Sequence, residues 1–536
     1  MKIDQDIVKK AHLLNRQVHA NAIDYQHSTP LARVETSLIL SGQRRYSFSV
    51  AYDIKDILFI GAATQSSVLM TGDTDSGKTT LARLVMSGLL GKEEEGWHRI
   101  DIDTDFGKDA LSDIDFSIIT EGRKMSDGMF SAQGFLSLPG LIGDEINRTH
   151  EKLANKLIHV FDRDITLPNG SRVILGHPYA PGKTYQFQVA AINEGAEYGG
   201  TFSVDQALRR RTIIEIPMNM FRPTAADERA IRAHGTRKLE LRNGTSHRDE
   251  IIAVYQALET GIPLHATADM FLSYLNSFNY CKNSLTGDKS SIPMNNGSIT
   301  HICTQPVAIG GAHIGGGAAT VGCNFLRSFS DSMCPHVRGL SEGVANNLQA
   351  VARGFAVIRA TKFTEMMAGY LVGKTDMPLS YALTSSACSL DELTETLRYY
   401  TESNATGLEL AQRASEKYIG ALEIGIEDIE AATGFVAYSK SRIAPFWIGK
   451  HFQGNRYAAL QTFVREARMK LQEGLAGAGL AAIQDVLKGN ADAANRQQVM
   501  EYCNRENPWL GRTLGAYIPS RTDQEFEDVL ARLTGA

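Results

Sequence analysis

The sequence predicts an α/β fold built on a parallel sheet that helices cover on both faces. Between residues 67 and 217, short apolar runs alternate with stretches of helical pattern, as expected of parallel strands joined by helices. A glycine-rich stretch at residues 71–80 stands between the first of these runs and the first helix, which is the setting of a phosphate-binding loop. Beyond Pro217 the pattern becomes mostly helical.

The elements follow from these periodicities. Five strands are predicted near residues 67–71, 98–103, 139–143, 186–192 and 212–216, with helices at 78–90 and 148–162. Upstream, residues 35–60 predict a strand followed by a short helix, and residues 4–20 predict a helix whose apolar side comprises Ile7, Ala11, Leu14 and Val18. Downstream, helices are predicted within 223–280 and at 340–360, 389–401, 405–434 and 455–488.

Bulk properties narrow the class of protein. A chain of 536 residues exceeds one hydrophobic core and suggests two to four domains. A net charge of −5 argues against a protein that coats nucleic acid through a basic surface. Six scattered cysteines, an acidic N-terminus and the lack of a long apolar run argue against a secreted or membrane-spanning protein. We therefore expect a cytoplasmic protein with no membrane association.

The stretch at 71–80 predicts how a nucleotide would be held. Glycines allow backbone N–H groups to turn toward phosphate oxygens, and the following helix adds the positive end of its dipole. In this pattern Lys78 reaches the β- and γ-phosphates, and the Thr79 hydroxyl ligates Mg²⁺. The predicted nucleotide-binding residues are Gly72, Asp73, Thr74, Asp75, Ser76, Gly77, Lys78, Thr79 and Thr80.

Two adjacent carboxylates predict hydrolysis. Asp144 and Glu145 follow an apolar strand, and Asp144 comes 66 residues after Lys78. Asp144 is suited to hold the Mg²⁺ hydration shell, and Glu145 to polarise the attacking water as a general base. The alternative is that the two acids are simply solvated at the end of a strand. Their distance along the chain from the phosphate loop favours the catalytic interpretation.

Two further polar features follow along the chain. Asn193 ends another apolar strand and could orient the lytic water, although Asn193-Glu194-Gly195 could also be a simple turn. Arg209, Arg210 and Arg211 precede the last predicted strand. These arginines are either a solvated basic face or the place where a ring-forming ATPase presents an arginine to its neighbour's γ-phosphate.

In order and spelling these motifs resemble AAA+ ATPases of the MoxR-like branch. Asp144-Glu145-Ile146-Asn147-Arg148 matches the D-E-I-N-R signature of that branch, and the stretch from Leu157 to Gly170 is similar to its helix and hairpin. Ala207-Leu208-Arg209-Arg210-Arg211 resembles both MoxR-like and McrB-like proteins. The resemblance covers about residues 35–235 and predicts an AAA+ core with an α-helical lid and a helical C-terminal extension.

The resemblance implies roles for residues of this chain. Asn193 would be the first sensor, Arg211 the finger with Arg210 as the other candidate, and residues 104–134 a loop inserted at the second helix. ATP and Mg²⁺ would be the ligands. The family also implies a homo-oligomer, a hexameric ring, acting on a protein partner that often contains a von Willebrand A domain, as for CobS-like and NorQ-like proteins.

The chain departs from the family in three places. Asp73-Thr74-Asp75-Ser76 stands where Pro-Pro-Gly-Thr is usual, which places two carboxylates near anionic phosphates. Thr212 replaces an aromatic residue after the finger. Gly343 stands where the family has the second-sensor arginine. Arg338 is the nearest arginine that could replace it, and it is therefore added to the predicted nucleotide-binding residues.

The glycine-rich region contains cysteines and histidines that are candidate zinc ligands. Thiolate and imidazole ligands could bind structural zinc, but the absence of a C-x-x-C pair favours unlinked thiols. The candidate ligands are Cys281, His301, Cys303, Cys323, Cys334 and His336.

The predicted organisation places the nucleotide-binding domain near the start of the chain. The segments are 1–34, a helical N-terminal segment; 35–222, the α/β domain; 223–265 and 336–440, the lid; 266–335, an inserted module; and 441–536, the extension. The predicted function is an ATP-hydrolysing ring motor that remodels a protein partner. The alternatives are a nucleic-acid-associated McrB-like motor and a nucleotide-dependent assembly protein that does not hydrolyse.

Overall fold

The structure, a computed structural model, describes parts of the chain in detail. These are, with short gaps, residues 5–101, 112–114, 130–148, 159–194, 206–234, 245–265, 342–371 and 422–477, with pieces at 268–275, 307–314, 337–338 and 381–383. The chain divides into two compact units, residues 1–262 with 353–422, and residues 263–352 with 423–536. No described helix is long and apolar enough to cross a bilayer.

The centre of the first unit is a parallel sheet of five strands. The strands are β3 (Val68–Gly72), β4 (Trp97–Asp101), β7 (Gly140–Asp144), β12 (Phe187–Asn193) and β13 (Ile214–Pro217). Their order across the sheet is β13-β3-β12-β7-β4. The predicted α/β class and all five predicted strands are confirmed.

Helices flank this sheet. The first unit contains α1 (Gln5–Asn21), α2 (Ile54–Ala63), α3 (Lys78–Leu90), α4 (Gln206–Arg211), α5 (Ala225–His234) and α6 (Arg248–Gly261), and residues 353–371 of α7 (Glu342–Leu371). All five residues of β3 and β7 and all seven of β12 are buried. A strand buried on both faces needs apolar side chains throughout, which explains why these runs do not alternate.

Two predictions near the N-terminus require correction. Residues 35–60 contain two antiparallel strands, β1 (Ala32–Leu40) and β2 (Arg44–Tyr52), before α2, instead of one strand. In α1, Val8 is buried where Ile7 was expected, because the buried side is shifted by one residue at the start of the helix. Ala11, Leu14 and Val18 are buried as predicted.

The first unit also contains short antiparallel hairpins. They pair β5 (Ser112–Ile114) with β6 (Phe130–Ala132), β8 (Asp164–Thr166) with β9 (Arg172–Ile174), and β10 (His177–Ala180) with β11 (Lys183–Tyr185). The resemblance predicts a hairpin within 157–170, and the β8–β9 hairpin begins inside that stretch but ends beyond it, at Ile174. Most of the predicted insertion at 104–134 and most of the predicted helix at 148–162 lie outside the described residues.

A buried polar network ties three helices together. The carboxylate of Asp56, on α2, accepts hydrogen bonds from Asn15 Nδ2 at 3.0 Å and His19 Nε2 at 3.1 Å on α1. It also accepts one at 2.5 Å from Lys362 Nζ on α7. Burial alone would raise the pKa of Asp56, but Lys362 and His19 outweigh it and lower that pKa. The carboxylate is therefore ionised and fully paired.

The second unit is described mainly as helices. Besides the first residues of α7, it contains α8 (Ile426–Val436), α9 (Pro445–Phe452) and α10 (Arg456–Gly477), and Arg468 on α10 pairs with Glu430 on α8 at 2.9 Å. Short strand pairs join β14 (Val307–Ile309) to β15 (Ala312–Ile314) and β16 (Val337–Arg338) to β18 (Arg442–Ile443). A further strand, β17 (Tyr381–Leu383), belongs to the first unit and pairs with β2. The predicted helix at 389–401 and all six candidate zinc ligands lie outside the described residues.

Candidate functional site

The predicted site residues meet at one edge of the sheet. Gly72, Asp144 and Asn193 end the strands β3, β7 and β12, which are neighbours in the sheet. Because the three strands are parallel, their carboxyl ends lie side by side, and ligands of such sheets bind there. Register pairs Asn193 with Gly72, the first residue of the phosphate loop.

The predicted phosphate-binding loop runs from Gly72 to the start of α3. Asp75 has φ 63° and Gly77 has φ 78°, so the chain turns twice through the left-handed region. Ser76 Oγ donates to the carbonyl of Asp73 at 2.8 Å. The buried side chain of Lys78 folds back over the loop and donates to the carbonyls of Gly72 and Asp73 at 3.0 and 2.6 Å.

The pKa of Lys78 is lowered, mainly by burial. The carboxylates of Asp144, Asp73, Asp75 and Glu145 act to raise it. Four acids around one lysine leave this edge with an excess of negative side chains. A divalent cation and a positive helix end are the groups that would balance anionic phosphates there.

Asp144 joins the loop to the neighbouring strand. Its Oδ1 accepts a hydrogen bond from Thr79 Oγ1 at 2.9 Å, and its Oδ2 lies 3.3 Å from Arg99 Nη2. A hydroxyl and a carboxylate oxygen in contact supply the hard oxygen ligands that Mg²⁺ prefers. The chemistry of this donor set fits the predicted metal.

Glu145 and Asn193 form the second contact of the site. Asn193 Nδ2 donates to Glu145 Oε1 at 3.2 Å, across the gap between β12 and the end of β7. Glu145 has φ 53°, a left-handed conformation that a glutamate adopts at a cost of about 1–3 kcal/mol.

The three arginines do not form one basic stripe. Arg209 pairs with Glu194 and Glu215, and Arg211 Nε lies 2.5 Å from Asp162 Oδ2. The Arg211 side chain remains 35% exposed. Arg210 lies within α4.

Three further positions that the resemblance singled out are Arg338, Gly343 and Thr212. Arg338 belongs to β16 in the second unit, where it pairs in register with Arg442. Gly343 is exposed, with open space where a Cβ would be. Thr212 is buried directly after α4. Its hydroxyl donates a hydrogen bond to the carbonyl of Arg209, in the last turn of that helix, at 3.2 Å.

Sequence reasoning missed four residues of this region. Arg99 contacts Asp144, Asn147 Nδ2 donates to the carbonyl of Asn193 at 2.7 Å, and Asn219 and Tyr25 contact the loop. Arg99 lies in the middle of β4, inside a predicted strand, where no motif marked it. No sequence motif marks Asn219 or Tyr25, because both come from segments that are distant along the chain from the loop that they contact.

Comparison with known proteins adds little to this geometry. No family model and no curated protein match the chain. A solved structure described as a "putative ATPase" from Cytophaga hutchinsonii is similar at 13% sequence identity, with a TM-score of 0.41. The similarity covers 66% of this chain and 83% of that one. A likeness this distant says nothing about function, so the site has to be judged from its own residues.

Proposed function

We propose that this protein is a Mg²⁺-dependent ATPase of the MoxR-like AAA+ type. The observation that supports this best is the pair of contacts Thr79–Asp144 and Asn193–Glu145, at 2.9 and 3.2 Å, beside the phosphate loop. Thr79 and Asp144 would be the metal-binding pair, and Glu145 and Asn193 the acid–amide pair that acts on water. Phosphoryl transfer needs both kinds of pair, because its catalysis is mainly positioning and charge stabilisation.

Each residue has a defined task in this proposal. The phosphate-binding set extends from Gly72 to Thr80, and Lys78 would leave its loop carbonyls to donate to phosphate oxygens. Thr79 and Asp144 would hold Mg²⁺, which when bound neutralises charge on the phosphates. Glu145 would accept the proton of the attacking water, while the Asn193 amide keeps its carboxylate oriented. Arg99 beside Asp144 would orient the metal-binding carboxylate.

The finer part of the proposal concerns the assembly. We infer a homo-oligomeric ring in which Arg211, or else Arg210, reaches a neighbour's γ-phosphate and the motion of the ring remodels a protein partner. The exposed part of the Arg211 side chain supports this, because the group is held at the surface by Asp162. A second-sensor role for Arg338 and a cytoplasmic setting belong to the same proposal.

The test compares the parent protein with Glu145→Gln. Glutamine keeps the shape of the side chain and can still bond to Asn193, but it cannot take a proton. We expect turnover to fall by about 10²–10⁴-fold, while ATP binding in the presence of Mg²⁺ is retained. Phosphate release and binding of a fluorescent ATP analogue measure the two quantities.

The rival functions give different results. Equal turnover in parent and variant would remove Glu145 from the mechanism. A parent that binds ATP without turnover would be the assembly protein that does not hydrolyse. Turnover that rises on addition of DNA or RNA would favour the nucleic-acid-associated motor.

A further inference from the structure

Asn219 forms hydrogen bonds with the phosphate loop, although it lies outside the strand, loop and helix that make up the motif. The backbone N–H of Asp73 donates to Asn219 Oδ1 at 3.1 Å, and Asn219 Nδ2 donates to Asp73 Oδ1 at 3.1 Å. The two hydrogen bonds run in opposite directions between the same two residues. Such a pair fixes both the backbone and the side chain of Asp73.

The contact extends to the preceding glycine. A Cβ on Gly72 would lie 2.9 Å from Asn219 Oδ1 and 3.0 Å from Met218 Cβ. The 3₁₀ turn Met218–Met220 therefore packs directly against the first residues of the loop. This turn directly follows β13, which is paired with β3, so the sheet sets its distance from the loop.

The segment that carries Asn219 is itself anchored. The carbonyl of Phe221 accepts a hydrogen bond from His27 Nε2, and the carbonyl of Arg222 accepts one from Thr29 Oγ1 at 2.7 Å. Tyr25, from the same N-terminal segment, lies where a Cβ on Gly77 would come within 2.9 Å of its ring. Residues 25–29 and 218–222, which are hydrogen-bonded to each other, thus contact the loop at both of its ends.

Asp73 links Asn219 to Lys78. Its N–H binds Asn219, while its own carbonyl accepts a hydrogen bond from Lys78 Nζ at 2.6 Å. The peptide groups on either side of Asp73 are therefore fixed relative to both partners. The amide of Asn219 also satisfies one oxygen of a carboxylate that would otherwise face the phosphates alone.

We propose that Asn219 is a positioning residue for nucleotide binding. Through its paired hydrogen bonds with Asp73 it holds the start of the loop and keeps the Asp73 carboxylate engaged with an amide. This arrangement allows the chain to tolerate an acid where MoxR-like loops have proline. The inference rests on the proposed nucleotide binding, and it adds a residue that no loop motif contains.

The test is a swap of the two side chains. Asn219→Asp places two carboxylates against each other and removes one donor, and we expect binding of Mg²⁺ with a fluorescent ATP analogue to weaken about tenfold. The double variant N219D/D73N restores an amide opposite a carboxylate, and it should recover most of that affinity. Met220→Ala, on the exposed neighbour, is the matched control and should bind as the parent does.

The kinetics separate positioning from general damage. Asn219 touches none of the residues assigned to the chemistry, so N219D should raise KM about tenfold and leave kcat within about twofold of the parent. The midpoint of thermal unfolding should change little, because the pair is exposed. Recovery by the double variant is a result that simple loss of folding would not give.

Three outcomes would contradict the inference. A parent that binds no nucleotide would overturn the proposed function and this inference with it. A parent that binds, together with N219D that binds equally well, would overturn the inference alone. A double variant as weak as N219D would show that the pairing with Asp73 is not what matters.

Discussion

Two of the residues other than glycine that have left-handed backbone conformations lie in the candidate site. Asp75 in the phosphate loop has φ 63° and Glu145 at the end of β7 has φ 53°. Strain of this kind persists only where surrounding contacts fix the chain, and it concentrates at functional sites. At Glu145 the hydrogen bond from Asn193 is one such contact.

His19 provides a test at the same scale. Burial by itself would lower its pKa, but the hydrogen bond and charge of Asp56, with the charge of Asp53, raise it above 6.5 despite the opposing charge of Lys362. A folded-state pKa above the unfolded value means that the folded protein binds the extra proton. The stability from His19 is therefore complete below pH 6.5 and is lost as the pH rises through the folded pKa.

We predict that His19→Gln removes this pH dependence. Glutamine can still donate to Asp56 but does not titrate. The free energy of unfolding of the parent, relative to the variant, should fall above pH 6.5 by up to about 1.4 kcal/mol per pH unit. Urea unfolding at a series of pH values on both sides of 6.5 measures the difference. Parallel curves for the two proteins would show that His19 keeps its ordinary pKa.

At the scale of elements, the close packing of α3 on the sheet matters most. A Cβ on Gly140, the first residue of β7, would lie 2.5 Å from Leu90 Cδ1 and 2.6 Å from Trp97 Cβ. Both neighbours are buried, so neither can move aside easily. Since β7 ends in Asp144, this packing fixes the position of the strand that carries a predicted Mg²⁺ ligand.

We predict that Gly140→Ala destabilises the protein by about 1–3 kcal/mol through overpacking. Gly134→Ala is the matched control, because a Cβ there meets nothing within 4 Å, and its effect should stay within about 0.5 kcal/mol. Denaturant unfolding of both variants gives the comparison. Equal stability of the two would mean that α3 and β7 have room for a methyl group.

At the scale of the whole molecule, the proposed ring makes a prediction about mixed subunits. In a head-to-tail ring, one subunit supplies Glu145 and its neighbour supplies the finger. Arg211→Ala should therefore bind ATP without hydrolysing it, as should Glu145→Gln. Arg210→Ala, examined in parallel, would show the loss instead if that residue is the finger.

Mixing the two inactive variants should restore activity. With random subunit exchange at equal amounts, about one interface in four combines an intact Glu145 with an intact Arg211. Turnover should recover to about a quarter of that of the parent, and particle mass with ATP and Mg²⁺ shows whether rings form. Inactive variants that give an inactive mixture of rings would place the arginine's action within its own subunit.

The sequence by itself determined the parts of the site that are contiguous. The phosphate loop, the acids after β7 and Asn193 after β12 are each adjacent to an apolar run, so strand periodicity places them at one edge of the sheet. The same local patterns predicted all five strands, while they missed the second strand of the β1–β2 pair. The roles of Lys78, Glu145, Asn193 and Arg211 stay predictions until turnover is measured.

Only the tertiary structure decided which distant residues complete this region. Asn219 lies 146 positions from Asp73, and Lys362 lies 306 positions from Asp56. No spacing rule connects such residues, because their contacts depend on strand order and on how helices pack over the sheet. Local periodicity predicts the secondary structure of each segment, whereas the packing of those segments determines which side chains meet.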